Sequence, residues 1–126
     1  MKSVLSAAVA ILLLGSSVTW AECERAEAPG IPDGSKASEQ EMIEGQQGLK
    51  QYMAATETYL ACIDQQEQAA IEVEAKATEP ASEEARVERA AAHTSAYNDA
   101  VQEMEAKAAE FNDQLKAYRE AQAATQ

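Results

Sequence analysis

Residues 87–118 read VERAAAHTSAYNDAVQEMEAKAAEFNDQLKAY, and the spacing of their apolar positions decides the fold. Val87, Thr94, Val101, Ala108 and Leu115 recur every seven residues. They alternate with Ala90, Tyr97, Met104, Phe111 and Tyr118 at steps of three and four. Strands bury alternate residues, whereas this pattern places one apolar stripe along an α-helix. The stripe persists over four heptads without Pro or Gly, so it predicts one long helix with a packing face, helix 2, over about 80–122.

Upstream, a second stripe has the same period. Met42, Leu49, Thr56, Ile63, Ala70 and Ala77 form a core column, flanked by Tyr52, Tyr59 and Val73 on one side and Met53 and Leu60 on the other. Three columns are more than a two-stranded seam requires. Ser38 with Glu41 three residues on has the capping-box pattern that starts a helix. No Pro follows until Pro80, so helix 1 is expected over about 38–77, roughly 60 Å at 1.5 Å per residue. Thr78-Glu79-Pro80-Ala81-Ser82 is the only break, and Pro is accommodated in a first helical turn. Two long helices joined by so short a break lie antiparallel. The expected fold class is therefore all-α, a coiled-coil-like helical hairpin spanning 38–126.

Before helix 1, residues 22–37 hold Pro29, Gly30, Pro32, Asp33 and Gly34 and read as an extended arm, with a type I turn expected at Ile31–Gly34. Cys23 lies 15 residues before Ser38, and Cys62 lies 24 residues beyond it. An extended chain of that length reaches about 45–50 Å, against about 36 Å of helix. The arm can therefore double back along helix 1 and bring Cys23 to Cys62. Gly48, Ala55 and Cys62 form a small-residue column on which it would lie, with Pro29 and Ile31 against Tyr52 and Tyr59. One intramolecular disulfide is the favoured reading for two cysteines in an oxidising space. Free thiols or intermolecular pairing are the alternatives. CxxC is absent, so a thioredoxin-like role has no support.

Residues 1–21 supply the compartment. Lys2, the apolar run Val4–Leu14 and the small residues leading to Ala21 read as a cleaved secretory signal. The run is shorter than the ~20 residues of a transmembrane helix. Without that segment 105 residues remain, with 44 hydrophobic, of which 24 are Ala and two Cys; 18 larger side chains are left to build a core. The net charge moves from −12 to −13 on losing Lys2. A large enzyme core, a nucleic-acid-binding face and a membrane span after cleavage are all excluded by this composition. The larger apolar residues gather in a base (38–62 against about 97–122). The far half, about 64–94, is Ala-rich, with eight acids against Lys76, Arg86 and Arg89, and is expected to project as an acidic tip.

Little chemistry is offered. His93 is the only histidine and has no nucleophile or cysteine beside it in sequence, so it reads as a groove-edge side chain rather than a base or zinc ligand. The acids lack a calcium-loop pattern, and neither a phosphate loop nor a Ser/His/Asp set is visible. No enzyme, cofactor or metal is expected. One repeat stands out: Tyr97-Asn98-Asp99-x-Val101 recurs as Phe111-Asn112-Asp113-x-Leu115, two heptads later. Asn98 and Asn112 then share a helix edge which, in antiparallel geometry, falls opposite the Cys62 column, near Met53 and Leu60. These four residues form the candidate interaction edge, for a protein partner or a second copy. The alternative is that both Asn side chains hydrogen-bond across the hairpin or to water.

Cys23-x-x-x-x-x-Pro29-x-Ile31-Pro32-Asp33-Gly34, Gln46-Gln47-x-Leu49-Lys50-x-Tyr52, Tyr59-Leu60-x-Cys62, Tyr97-Asn98 and Phe111-Asn112-x-Gln114-Leu115-Lys116-x-Tyr118 together resemble a group of small exported proteobacterial proteins of unknown function. The resemblance implies a periplasmic location and brings no activity, substrate or site residues. The leading expectation is a non-catalytic interaction or structural module of the cell envelope. The alternatives are a chaperone-like binder of unfolded envelope proteins and a weak divalent-cation sequestering protein acting through its acids.

Overall fold

The computed structural model describes residues 22–126, so the export-signal reading of residues 1–21 lies outside the described residues. Two helices, α1 (Glu39–Ala75) and α2 (Glu83–Ala124), pack against each other as an antiparallel hairpin, and no strand occurs among the described residues.

The ends of α1 and α2 follow local hydrogen bonding. Ser38 caps α1 as expected: its side chain accepts from the Glu41 N–H at 3.3 Å, and the Ser38 N–H donates to Glu41 Oε2 at 2.7 Å. That backbone hydrogen bond, together with the Ser38 hydroxyl, lowers the Glu41 pKa. α1 stops at Ala75 with Lys76 as its C-cap, two residues short of the expected end. α2 begins at Glu83 rather than near Pro80, because Ser82 Oγ accepts from the Ala85 N–H at 3.2 Å. A hydroxyl cap defines an N-terminus more sharply than a proline tolerated there. Glu83 and Glu84 occupy the first turn, where carboxylates complement the helix dipole.

The buried core lies in the base, in two clusters. Met42, Leu49, Tyr52 and Phe111 form the first, with Met53, Met104, Leu115 and Tyr118 packed against it. Leu60, Ile63 and Ala100 form the second, nearer the disulfide, joined by Cys23, Tyr59, Ala96, Tyr97 and Val101. Thr56 is 3% exposed on the column between them. The α1 column is thus buried from Met42 to Ile63, as its period predicts. On α2 only Ala100 and Phe111 are buried, and Ala100 lies off the expected columns. Val87, at the start of the heptad run, is 61% exposed.

Cys23 and Cys62 are joined as a disulfide with their Cα atoms 5.7 Å apart. The arm runs antiparallel to α1 as expected, yet it does not lie on α1 alone. Ala26, Ala28 and Ile31 pack into the first cluster beside Phe111 and Leu115 of α2. Arg25 pairs with Glu103, and the Gly34 N–H donates to Gln114 Oε1 at 2.8 Å. The arm is therefore a third layer seated in the groove between both helices.

One detail of the arm corrects the sequence reading and a second adds to it. The turn lies at Asp33–Lys36, not Ile31–Gly34. The Asp33 carbonyl accepts from the Lys36 and Ala37 N–H groups at 3.1 and 2.8 Å, while Asp33 Oδ1 accepts from the Ser35 N–H and hydroxyl. An Asp that bonds the backbone two residues on sets its own turn and outweighs Pro at the preceding position. The second detail concerns glycine: Gly48 lies beneath the arm as expected, but Gly45 is the tighter position. A Cβ on Gly48 would meet only Pro29 Cβ, at an ordinary 3.9 Å, whereas one on Gly45 would stand 2.7 Å from Pro32 Cδ. At Gly34 a Cβ would come 1.8 Å from the Gln114 carbonyl oxygen. None of these glycines has positive φ. Gly45 and Gly34 are needed for space, Gly45 against the Pro32 ring and Gly34 against the α2 backbone.

Candidate functional site

The groove between α1 and α2 is the feature that organises this molecule. From Ser38 to Cys62 the arm fills it. The arm's register on α1 is set by Pro32 at Gly45, Pro29 at Gly48 and Cys23 at Cys62. At the turn, the Asp33 carboxyl is held down to about pH 2 in its titration. The Ser35 hydroxyl contributes most, followed by the Lys36 ammonium and the Ser35 N–H.

Beyond Cys62 the same groove continues without the arm. Gln66, Ala70, Val73 and Glu74 of α1, with Ala77 and Ala81 of the connection and Arg89 of α2, line a trough of about 540 Å³. From Asp64 to Asp99 no described residue is buried. Ile71, Val73 and Val87 are 44%, 61% and 61% exposed in this half.

Ion pairs bridge the two helices in the outer half. Arg89 Nε lies 3.2 Å from Glu67 Oε2, and Arg89 Nη1 donates to Glu74 Oε2 at 2.8 Å. Arg86 Nε sits 3.2 Å from the buried Glu74 Oε1, at ion-pair distance but without hydrogen-bond alignment. The hydrogen bond that Arg89 donates to Glu74, aided by Glu67, raises the Arg89 pKa further above its already high value. Both arginines of the tip are therefore engaged by Glu67 and Glu74. The cross-hairpin pairs are 22 and 15 residues apart in sequence, a separation that follows only from the finished helix register.

The four residues of the candidate edge fall into different settings. Leu60 is 8% exposed inside the second cluster. Met53 is half-buried against the first cluster. Asn98 and Asn112 are exposed. Of the four, Met53 and the two Asn side chains are therefore open to contact, whereas Leu60 is not. Asn98 lines a shallow depression with Asp64, His93, Thr94 and Tyr97. There His93 Nε2 is 2.9 Å from Asp64 Oδ1, and its ring is tilted over Tyr97 with centroids 6.2 Å apart. This pairing across the hairpin escaped the sequence reading because the two residues are 29 apart.

Among the described residues, no group of three or more His, Cys, Asp or Glu side chains is placed to hold a metal ion. Nor is any described helix long and apolar enough to cross a membrane. No family model matches this chain, and no curated protein or solved structure shows significant similarity to it.

Proposed function

We propose that this chain is a non-catalytic protein-interaction module of the cell envelope, carried to the periplasm by a cleaved signal. One observation carries the reading: the apolar columns run the length of the hairpin, but burial stops at Ile63 on α1 and resumes only at Ala100 on α2. A two-helix unit that leaves aliphatic side chains exposed over its outer third is built as a base with a presented surface. The disulfide and arm secure the base, so the outer half can be offered without loss of the fold. An internal disulfide also suits an oxidising compartment.

The experiment is site-specific photo-crosslinking in cells, with the crosslinker placed at Val73, Val87 or Asn98 in turn. A discrete adduct, enriched over a crosslinker at Lys50 on the arm-braced base, is the expected result. Adducts of equal intensity at all four positions, or none, would refute it. Fractionation of the same cells checks the compartment, with the processed chain expected in the osmotic-shock fluid.

A further inference from the structure

We infer that the open end of the groove is a docking site for an extended, basic segment of a partner protein bearing small apolar side chains. The inference rests on reading the chain as an interaction module and adds where the partner binds and what its chemistry is.

The argument begins with the arm, which shows what this groove accepts. In the base the groove takes up an extended chain, places Ala26, Ala28 and Ile31 against the helices, and pairs Arg25 with Glu103 of α2. The trough beyond Cys62 is the direct continuation of that interface, because Cys62, Ala70 and Val73 follow one another on the same side of α1, with Ala77 just past its end. The small side chains of Ala70, Ala77 and Ala81 let a backbone come close, as Gly45 does beneath the arm. An extended segment suits it better than a helix, whose girth of about 10–12 Å exceeds that of the strand-like arm.

Charge selects the sign of the occupant. Residues 64–94 carry eight acids against three bases, and the two arginines are already engaged by Glu67 and Glu74. A second copy of this chain would bring like charge to like and is disfavoured, whereas a cationic segment gains by steering and by contact. Arg25 on Glu103 is the intramolecular precedent.

The test uses the full disulfide-bonded chain and three synthetic peptides. The first has the arm sequence 24–31 with Glu24→Lys and Glu27→Lys. The second is the unaltered arm sequence, and the third is the lysine peptide with Ala26, Ala28 and Ile31 changed to Ser. Amide chemical shifts should move saturably at Ala70, Val73, Ala77 and Ala81 with the first peptide, and at least tenfold more weakly with the other two. Val73→Glu should weaken the first peptide at least tenfold. Val73 is 61% exposed, so this change leaves the packing alone; Ala77→Arg, beyond the end of α1, provides a second test. The inference falls if about 1 mM of the first peptide produces no saturable shift, or if the shifts map to the base. It also falls if the serine peptide binds equally well, or if sedimentation shows self-association that Val73→Glu abolishes. In-cell crosslinks that persist in Val73→Glu would overturn this site while leaving the interaction-module reading intact.

Discussion

Three glycines lie where the arm and its turn meet the helices, and replacing each with alanine should give three different answers. Gly48 and Gly45 both lie inside α1, where Gly→Ala is worth about 0.8–1.0 kcal/mol of helix propensity. At Gly48 nothing opposes that gain, since the new methyl would meet Pro29 Cβ at 3.9 Å; Gly48→Ala should therefore stabilise by close to the full amount. At Gly45 the methyl would sit 2.7 and 2.8 Å from Cδ and Cγ of Pro32. Overpacking of that kind costs about 1–3 kcal/mol, so Gly45→Ala should fall about 1–3 kcal/mol below Gly48→Ala. At Gly34 the obstacle is backbone: 1.8 Å to the Gln114 oxygen and 2.9 Å to the Tyr118 nitrogen. No rotamer relieves it, so the 33–36 turn must leave α2 and give up the Gly34–Gln114 hydrogen bond. Loss at or above the upper end, about 3 kcal/mol, is expected, far beyond the 0.4–1 kcal/mol that a loop Gly→Ala gains through the unfolded chain. The assay is urea unfolding followed by far-UV circular dichroism with the disulfide intact, comparing midpoints at unchanged m. Equal stabilities for Gly45→Ala and Gly48→Ala, or a neutral Gly34→Ala, would refute the placement of the arm.

Four further outcomes follow from the same contacts. Replacing Cys23 and Cys62 with Ser opens a loop closed over 39 residues, which the chain-entropy relation values at about 4 kcal/mol; a melting temperature lower by roughly 16–30 °C is expected, and a drop of only a few degrees would contradict it. Leu60→Ala should destabilise by about 2–3 kcal/mol as a buried truncation, while Val73→Ala, exposed on the tip, should stay within about 0.5 kcal/mol of the parent in the same denaturation assay. The Asp33 carboxyl titrates at about 2, below its ordinary value of 3.8, so its contribution is complete above the higher value and is lost as pH falls through the lower. Carbon NMR should place the midpoint near 2, and a midpoint near 3.8 would show that the turn contacts do not form in solution. Arg89→Gln removes the group bridging Glu67 and Glu74; hydrogen exchange should accelerate in 64–75 and 83–94 and not in the base, so uniform acceleration would count against a locally held tip.

The hairpin and the α1 column were legible because heptad spacing reports directly on which face of a helix packs. The disulfide was legible for a different reason: the reach of 15 extended residues matched 24 residues of helix, so geometry allowed the closure. The exact turn and the demanding glycine were not legible. Asp33 and Pro32 compete for one turn, and their ranking depends on where Ser35 and Lys36 end up. Gly45 and Gly48 look alike until the arm's register places Pro32 over one of them. The Arg89–Glu67–Glu74 and His93–Asp64 pairs likewise need a register finer than one helical turn. At the candidate edge, spacing put Leu60 and Met53 in one column but could not divide them into a buried and a half-buried side chain, because that depends on how α2 tilts across it.

The excess width of the apolar stripe gains its meaning from the arm. Two helices need only a narrow seam between them, yet α1 carries three columns. In the base the additional column on the Cys62 side faces the arm, and Tyr52, Tyr59 and Cys62 meet it there. Period alone cannot count layers, so the sequence showed the column without showing what covers it. The column does not end at the disulfide: Val73 continues it, with Ala70 and Ala77 beside it. If the column in the base exists because an extended chain lies on it, its continuation has the same shape for the same physical reason. With residues 1–21 removed, as the proposed export signal requires, the arm cannot supply the second layer, because Cys23 is fixed at Cys62 and residues 24–37 run from there toward Ser38. A chain entering from another molecule satisfies that geometry, and the acidic excess of the tip determines that it should be basic.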